Sequence, residues 1–422
     1  MINLGRIWRT KEVRNSLLYV AAMLLAFRVA AHIPVPGVNA SALANLFNGN
    51  QFLGLLNVFS GGTLASFSIV ALGVGPFITA SIVFQLLGMI FPKFEEMQKE
   101  EAGQRKINQW SRLLTVPLAV LQAYGLLLLF KQQTGGALFS ATDLWTQVVA
   151  IGSMTAGTIF LMWVGELISE KNVGNGTSII IFSGIIAGLP TFLSQAAAVY
   201  DPSMLVTAIL FIALAVVTVV AIVIINEAQR DIPVQYARQV RGSRLSGAVT
   251  SHIPLKLNLG GVIPIIFAVS VILFPSVMAQ FFVNARSAWV RSAATWTLQT
   301  FQNQLVYGIV FFLLVFAFTY FYAGVIFHPD TVAENLQKQG SFIPGIRPGA
   351  PTSQYLGWVT NRLMLTGGLF LALVAVLPVA VRQWTGNQNI AIGGTSILIV
   401  VAVVIESIKA IEAQMSMHEY EM

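Results

Sequence analysis

Residues 59–76 read FSGGTLASFSIVALGVGP, between two long apolar segments of the chain. The stretch is apolar enough to avoid water, yet its serines, Thr63 and four glycines make it a poor spanning helix. Hydrocarbon offers no hydrogen-bond partner to an irregular backbone, so such a segment can lie at membrane depth only where protein surrounds it. What surrounds it therefore decides the fold.

The 422-residue chain is 56% hydrophobic and 10% charged, against roughly 45–50% and about 25% in an ordinary soluble domain. That balance predicts an integral membrane protein. It has no cysteine, which excludes disulfides, thiolate nucleophiles and cysteine-based zinc sites. The opening MINLGRIWRTKEVR sets Leu4, Ile7 and Trp8 on one helical face and Arg6, Arg9 and Lys11 elsewhere, without a small-residue cleavage pattern after the next apolar run. An interfacial helix followed by a retained first span is expected.

A helix needs about 20 apolar residues to cross the hydrocarbon. Ten segments qualify: 17–33, 69–91, 113–130, 147–168, 178–199, 204–225, 262–283, 305–327, 363–381 and 391–408. With the N-terminus inside, only Lys131, Arg286, Arg291 and Arg382 fall outside, and Arg28 lies within the first span. The other 19 of the 24 Lys and Arg residues are on the inner side, as the positive-inside rule requires, so both termini are expected in the cytoplasm. Five spans lie in residues 1–200 and five in 201–422. The second half starts on the opposite side of the membrane, a topology that permits two inverted halves around a central pathway.

Three inner loops are long: 92–112, 226–261 and 328–362. In the second, Arg230, Arg238, Arg241, Arg244 and Lys256 face only Glu227 and Asp231, enough for anionic lipid, nucleic acid or an acidic protein. Charge inside the membrane is scarce. Arg28, Glu166 and Glu406 lie near span ends, where snorkelling accounts for them. His32, His252, His328 and His418 have no metal-ligand spacing, and no phosphate loop, nucleophile elbow or intramembrane carboxylate pair is present. These observations argue against an enzyme and against a cofactor. Ile78 with Ile82, and Ile181 with Ile185, recur four apart on helical faces. Spacing alone reads them as helix-packing or lipid-facing residues.

Taken in order, FRVAAHIPVPGV (27–38), SGGTLASFSIVALGVGPFITASIVFQLL (60–87), EAGQRKINQW (101–110), NVGNGTSIIIFSGIIAGLP (172–190), HIPLKLNLGGVIPIIFA (252–268), NLQKQGSFIPGIRPG (335–349) and GGTSILIVV (393–401) resemble the SecY family, channel subunits of the bacterial protein translocase. The resemblance implies an all-α polytopic fold of ten transmembrane helices, in two five-helix halves of inverted topology around a central pore. It implies a short re-entrant plug helix near 59–70, including Gly61, Gly62, Thr63, Leu64, Ala65, Ser66, Phe67 and Ser68. It further implies a pore ring of Ile78, Ile82, Ile181, Ile185, Ile266 and Ile399. A lateral gate between spans 2 and 3 and spans 7 and 8 would include Gln85, Ser270, Phe274 and Pro275. Arg238, Arg241, Arg244, Lys256 and Arg347 would dock a ribosome or the SecA ATPase, although Ser243 stands where many relatives carry the first of two arginines. Implied partners are SecE-like and SecG-like subunits, SecA, the ribosome, signal peptides, nascent chains and membrane lipids. The implied location is a bacterial plasma membrane, with a plastid thylakoid membrane as the alternative.

From the residues alone, a secondary transporter with a 5+5 repeat competes with this reading. It would need a polar midplane site at broken helices.

Overall fold

The computed structural model describes residues 10–38, 63–64, 66–133, 144–198, 205–236, 240–241, 244–245, 250–283, 285–385 and 394–421. Helices stand at all ten expected spans: α1 (Lys11–Ala31), α2 (Gly75–Ile90), α4 (Glu101–Gln133), α5 (Leu144–Ser169), α6 (Gly176–Ala198), α7 (Leu205–Glu227), α8 (Ile263–Phe282), α10 (Gln304–Ile326), α12 (Ala350–Thr385) and α13 (Gly394–Glu421). Shorter helices lie between them: α3 (Pro92–Lys99), α9 (Ala288–Gln302) and α11 (Pro329–Lys338). Among the described residues, α1, α4, α5, α10 continued through α11, and α12 are each long and apolar enough to cross a bilayer. The bent pair α2–α3 makes a sixth, and α6, α7 and α8 hold shorter apolar runs. The chain is an all-α polytopic membrane protein.

Prolines set several boundaries. Pro76, Pro92, Pro264 and Pro329 occupy first-turn positions of α2, α3, α8 and α11, where a missing N–H costs nothing. Phe91, immediately before Pro92, is extended, and there the axis turns by 114° between α2 and α3. Asn303 caps α10, its side-chain oxygen accepting from the Leu305 amide at 3.0 Å.

Two of the long loops carry structure that their charge pattern did not suggest. β1 (Gln229–Tyr236) pairs antiparallel with β4 (Thr250–Lys256) and, through Gln235 and Tyr236, with β5 (Ser341–Phe342). β2 (Val240–Arg241) and β3 (Arg244–Leu245) form a minimal hairpin between them. Loops 226–261 and 328–362 thus share one sheet, over a core of Ile232, Val234, Leu255, Leu336, Ile343, Leu356 and Val359. In water each such side chain contributes about 1.5–3 kcal/mol on burial. This small domain therefore has its own reason to fold.

Of the expected plug helix near 59–70, residues 59–62 and 65 lie outside the described residues; among the described ones, Thr63, Leu64 and residues 66–74 are irregular, with turns and a bridge from Ser68 to Pro34, and the helix begins at Gly75. Phe67 has φ 44° and Gly73 φ 59°, so helical geometry breaks at both. Hydroxyls take the place of a helical ladder: Thr63 Oγ1 donates to the Val70 carbonyl at 2.8 Å, and Ser66 Oγ to the carbonyls of Thr63 and Ala31. The Val35 amide donates to Phe67 O at 3.0 Å and the Ile69 amide to Ile33 O at 2.9 Å. The segment is stitched to the end of the first span.

Two intramembrane charges also differ from expectation. Arg28 does not reach for the outer interface, because its guanidinium donates to the Ser183 carbonyl on α6 at 2.8 Å. Glu166 accepts from Arg112 at 2.6 Å, joining α5 to α4. A protein partner was within reach in each case, and a long polar side chain in a low-dielectric setting takes it. Of the expected interfacial helix at 1–14, residues 1–9 lie outside the described residues, while Lys11, Glu12, Val13 and Arg14 are the first turn of α1 and continuous with the first span.

Candidate functional site

The main apolar cluster draws from α1, α2, α5, α6, α7, α8, α10, α12 and α13. Within it lie Ile78 and Ile82 of α2, Ile181 of α6, Ile266 of α8 and Ile399 of α13, all buried, with the partly buried Ile185 of α6 packed against them. Four helices far apart in sequence thus deliver six isoleucines to one cluster. None of the six carries a polar side-chain atom, so these six side chains offer nothing to coordinate an ion.

Beside it lies a second cluster. Leu64, Phe67 and Ala71 are buried with Val35 against Ala123–Phe130 of α4 and Ala150 and Met154 of α5. Phe67 meets Phe130 edge-on at 5.4 Å between ring centroids. The turn approaches α5 so closely that a Cβ on Gly157 would stand 2.0 Å from Ile69 O. Only glycine fits that contact.

α8, which carries the expected gate residues Ser270, Phe274 and Pro275, packs against α4 and against α2, which carries Gln85. Tyr124 of α4 and Phe281 of α8 bring their ring centroids to 5.8 Å. Ser270 spends its hydroxyl on the Ile266 carbonyl one turn back, at 3.0 Å. Pro275 interrupts the helix interior and Phe274 is half exposed. Gln85 Oε1 is buried and accepts no hydrogen bond from the described residues. Gln85 also lines a cavity of about 550 Å³ shared with Gln98, Gln104, Asn108, Tyr322 and His328. The corner beneath is held by Phe84, Phe94 and Trp110, and by Gln98 Nε2 donating to Phe84 O at 3.3 Å.

Of the expected docking residues, Arg238 lies outside the described residues. Arg241 and Arg244 pair across the β2–β3 hairpin. Lys256 is exposed at the end of β4, opposite Gln229 and close enough to Glu406 to act on it electrostatically. Arg347 is exposed on a turn in which Gly345 and Gly349 take φ of 81° and 97°, and Thr352 Oγ1 pins its carbonyl at 2.8 Å. The sheet brings the loops bearing these residues together.

Sequence reasoning passed over Gly157, Gln98 and the Arg112–Glu166 pair. Gly157 carries no signal of its own, being one small residue in a small-rich helix. Arg112 and Glu166, each near the inner end of a predicted span, could have been paired on charge alone.

Comparison with known proteins agrees along nearly the whole length. The family described as SecY matches residues 68–408. "Protein translocase subunit SecY" of Streptomyces galbus is 41% identical over 436 residues, covering 99% of this chain and 98% of that protein. The protein of the same description from Staphylococcus aureus (strain NCTC 8325 / PS 47) is 42% identical over 424 residues, covering 98% and 97%. A solved structure described as "The structure of a protein conducting channel" superposes with a TM-score of 0.64 at 17% identity, over 94% of this chain and 91% of that one. Another, "Sec61 in the Canine ribosome-channel complex from the endoplasmic reticulum", gives 0.60 at 16% identity with the same coverage.

Proposed function

The chain belongs to the SecY family, and on that premise we propose that it is a protein-conducting channel, passing unfolded polypeptides across the membrane and releasing apolar helices sideways into lipid. One observation carries the reading: the convergence of Ile78, Ile82, Ile181, Ile185, Ile266 and Ile399 on a single apolar cluster from α2, α6, α8 and α13. A narrow constriction lined only by branched aliphatic side chains dewets and resists ions. The same side chains make no specific polar contact, so they can change rotamer around a polypeptide of any sequence.

In this reading residues 1–200 and 201–422 are the two halves, and the turn at Thr63–Val74 with the preceding residues is the stopper on the outer side. The line between α8 and α2/α4 is the seam that parts. Helix contacts in lipid lack a hydrophobic driving force, which keeps the cost of opening there low. A segment leaves through the seam when lipid solvates it better than the channel does. The chain holds no nucleotide-binding motif, so the drive comes from a partner, SecA or a ribosome, on the surface formed by Arg238, Arg241, Arg244, Lys256 and Arg347. SecE-like and SecG-like subunits complete the assembly in a bacterial plasma membrane, with both termini cytoplasmic.

The test is reconstitution. Liposomes carrying this chain with a SecE-like subunit, SecA and ATP should accumulate a secretory precursor in protease-protected form. Absence of protected precursor, together with uptake of a small solute by the chain alone, would replace the reading with a transporter.

A further inference from the structure

Helix α9 joins α8 to α10 and packs against both. Its sequence, AWVRSAATWTLQTFQ, divides into three faces rather than two. Ala294 is buried, and Val290, Leu298 and Phe301 share its side, Phe301 reaching the main apolar cluster. Trp289, Ala293, Trp296 and Thr300 recur at helical spacing on a second side, where Trp289 is 79% and Trp296 67% exposed. Arg291, Thr295 and Gln299 form a third, with Arg291 exposed.

A helix at a protein–water boundary needs two faces, apolar inward and polar outward. Two large aromatic residues on a face that touches neither the protein core nor the polar side require a third medium. The flanking chain supplies the location. α9 follows the end of one span and precedes the start of the next, so it lies at membrane-boundary level, where Trp is enriched. Phe282, at the end of α8, is also half exposed. Arg286 and Arg291 are two of the four basic residues that break the charge asymmetry of the loops. Contact with anionic headgroups would give those two residues a partner.

We propose that α9 lies in the membrane–water interface, with Trp289 and Trp296 at the acyl-chain boundary and Arg286 and Arg291 on anionic phospholipid headgroups. α8 and α10 form one side of the seam, so this contact ties that side to the bilayer surface. The inference rests on the membrane-spanning reading of α8 and α10, and not on passage of a polypeptide between them.

The absence of cysteine makes the test direct. Ala293→Cys, on the tryptophan side, and Thr295→Cys, on the polar side, each take a polarity-sensitive fluorophore in full-length protein reconstituted into vesicles. The label at 293 should emit at shorter wavelength and be quenched by shallow nitroxide lipids, while the label at 295 should be quenched by aqueous iodide. Replacing part of the phosphatidylcholine with phosphatidylglycerol should increase lipid quenching at 293, and Arg286→Gln with Arg291→Gln should remove that increase alone. Iodide quenching at 293 without nitroxide quenching would mean a water-facing helix. Shielding from both quenchers would mean that protein covers the face. Either result overturns the proposal and leaves the channel reading standing, because nothing is translocated in the measurement.

Discussion

The six isoleucines lie in the main apolar cluster, which also takes Val70 and Val74 of the turn over residues 63–74, while Leu64, Phe67 and Ala71 of that turn lie in the second; ring and turn share a boundary yet are held in opposite ways. The isoleucines contribute dispersion contacts only. The turn combines buried Leu64 and Phe67 with hydroxyl and amide hydrogen bonds from Thr63, Ser66, Val35 and Ile69. A contact made of dispersion alone can be remade in many arrangements, whereas one made of directional bonds has few. In the channel reading, the first suits a surface that must yield to any polypeptide, and the second a stopper that is either seated or out.

That contrast can be broken most severely at Phe67. Phe67→Ala leaves a cavity beside Phe130 and should cost about 3–5 kcal/mol. Hydrogen exchange at the Val35 and Ile69 amides should accelerate, since both bond across to the same turn. Unchanged protection would show that the turn is held without its aromatic anchor. Gly157→Ala attacks the seat from the other side by forcing Ile69 O away, at about 1–3 kcal/mol, measurable as a lowered midpoint of thermal unfolding in detergent. Thr63→Val deletes one hydrogen bond to Val70 O and should cost about 0.5–1.5 kcal/mol in the same assay. The least change in stability is expected from Ile82→Leu, because volume-conserving apolar swaps usually cost below about 1.5 kcal/mol and no polar partner is lost. Ile82→Asn sharpens the point: it should raise ion conductance in planar bilayers while Ile82→Leu does not.

Much of this was legible in the sequence, for reasons particular to membranes. Apolar runs located the ten segments at which helices stand, because lipid imposes a length on a spanning helix. The sheet was not read, although Ile232 with Val234, and Ile253 with Leu255, alternate as a half-buried strand should. Pro233 and Pro254 weaken that strand signal, since proline cannot donate to a ladder. The structure accommodates Pro233 where β1 has β4 as its sole partner, β5 reaching only Gln235 and Tyr236. A helix near 59–70 is implied by the family resemblance, not by composition, which marks the stretch only as a poor spanning helix. What breaks it is long-range, the stitching to Ile33 and Val35. The isoleucines were visible at helical spacing, but their convergence depends on four helices meeting, which no local pattern encodes.

The central claim is that a polypeptide passes between those six side chains. Single cysteines introduced at Ile82 and at Ile185, in a chain with no other cysteine, should crosslink to a secretory polypeptide stalled in transit, and cysteines at lipid-facing positions such as Val216 should not. Efficient adducts at Val216 with none at positions 82 and 185 would contradict the account.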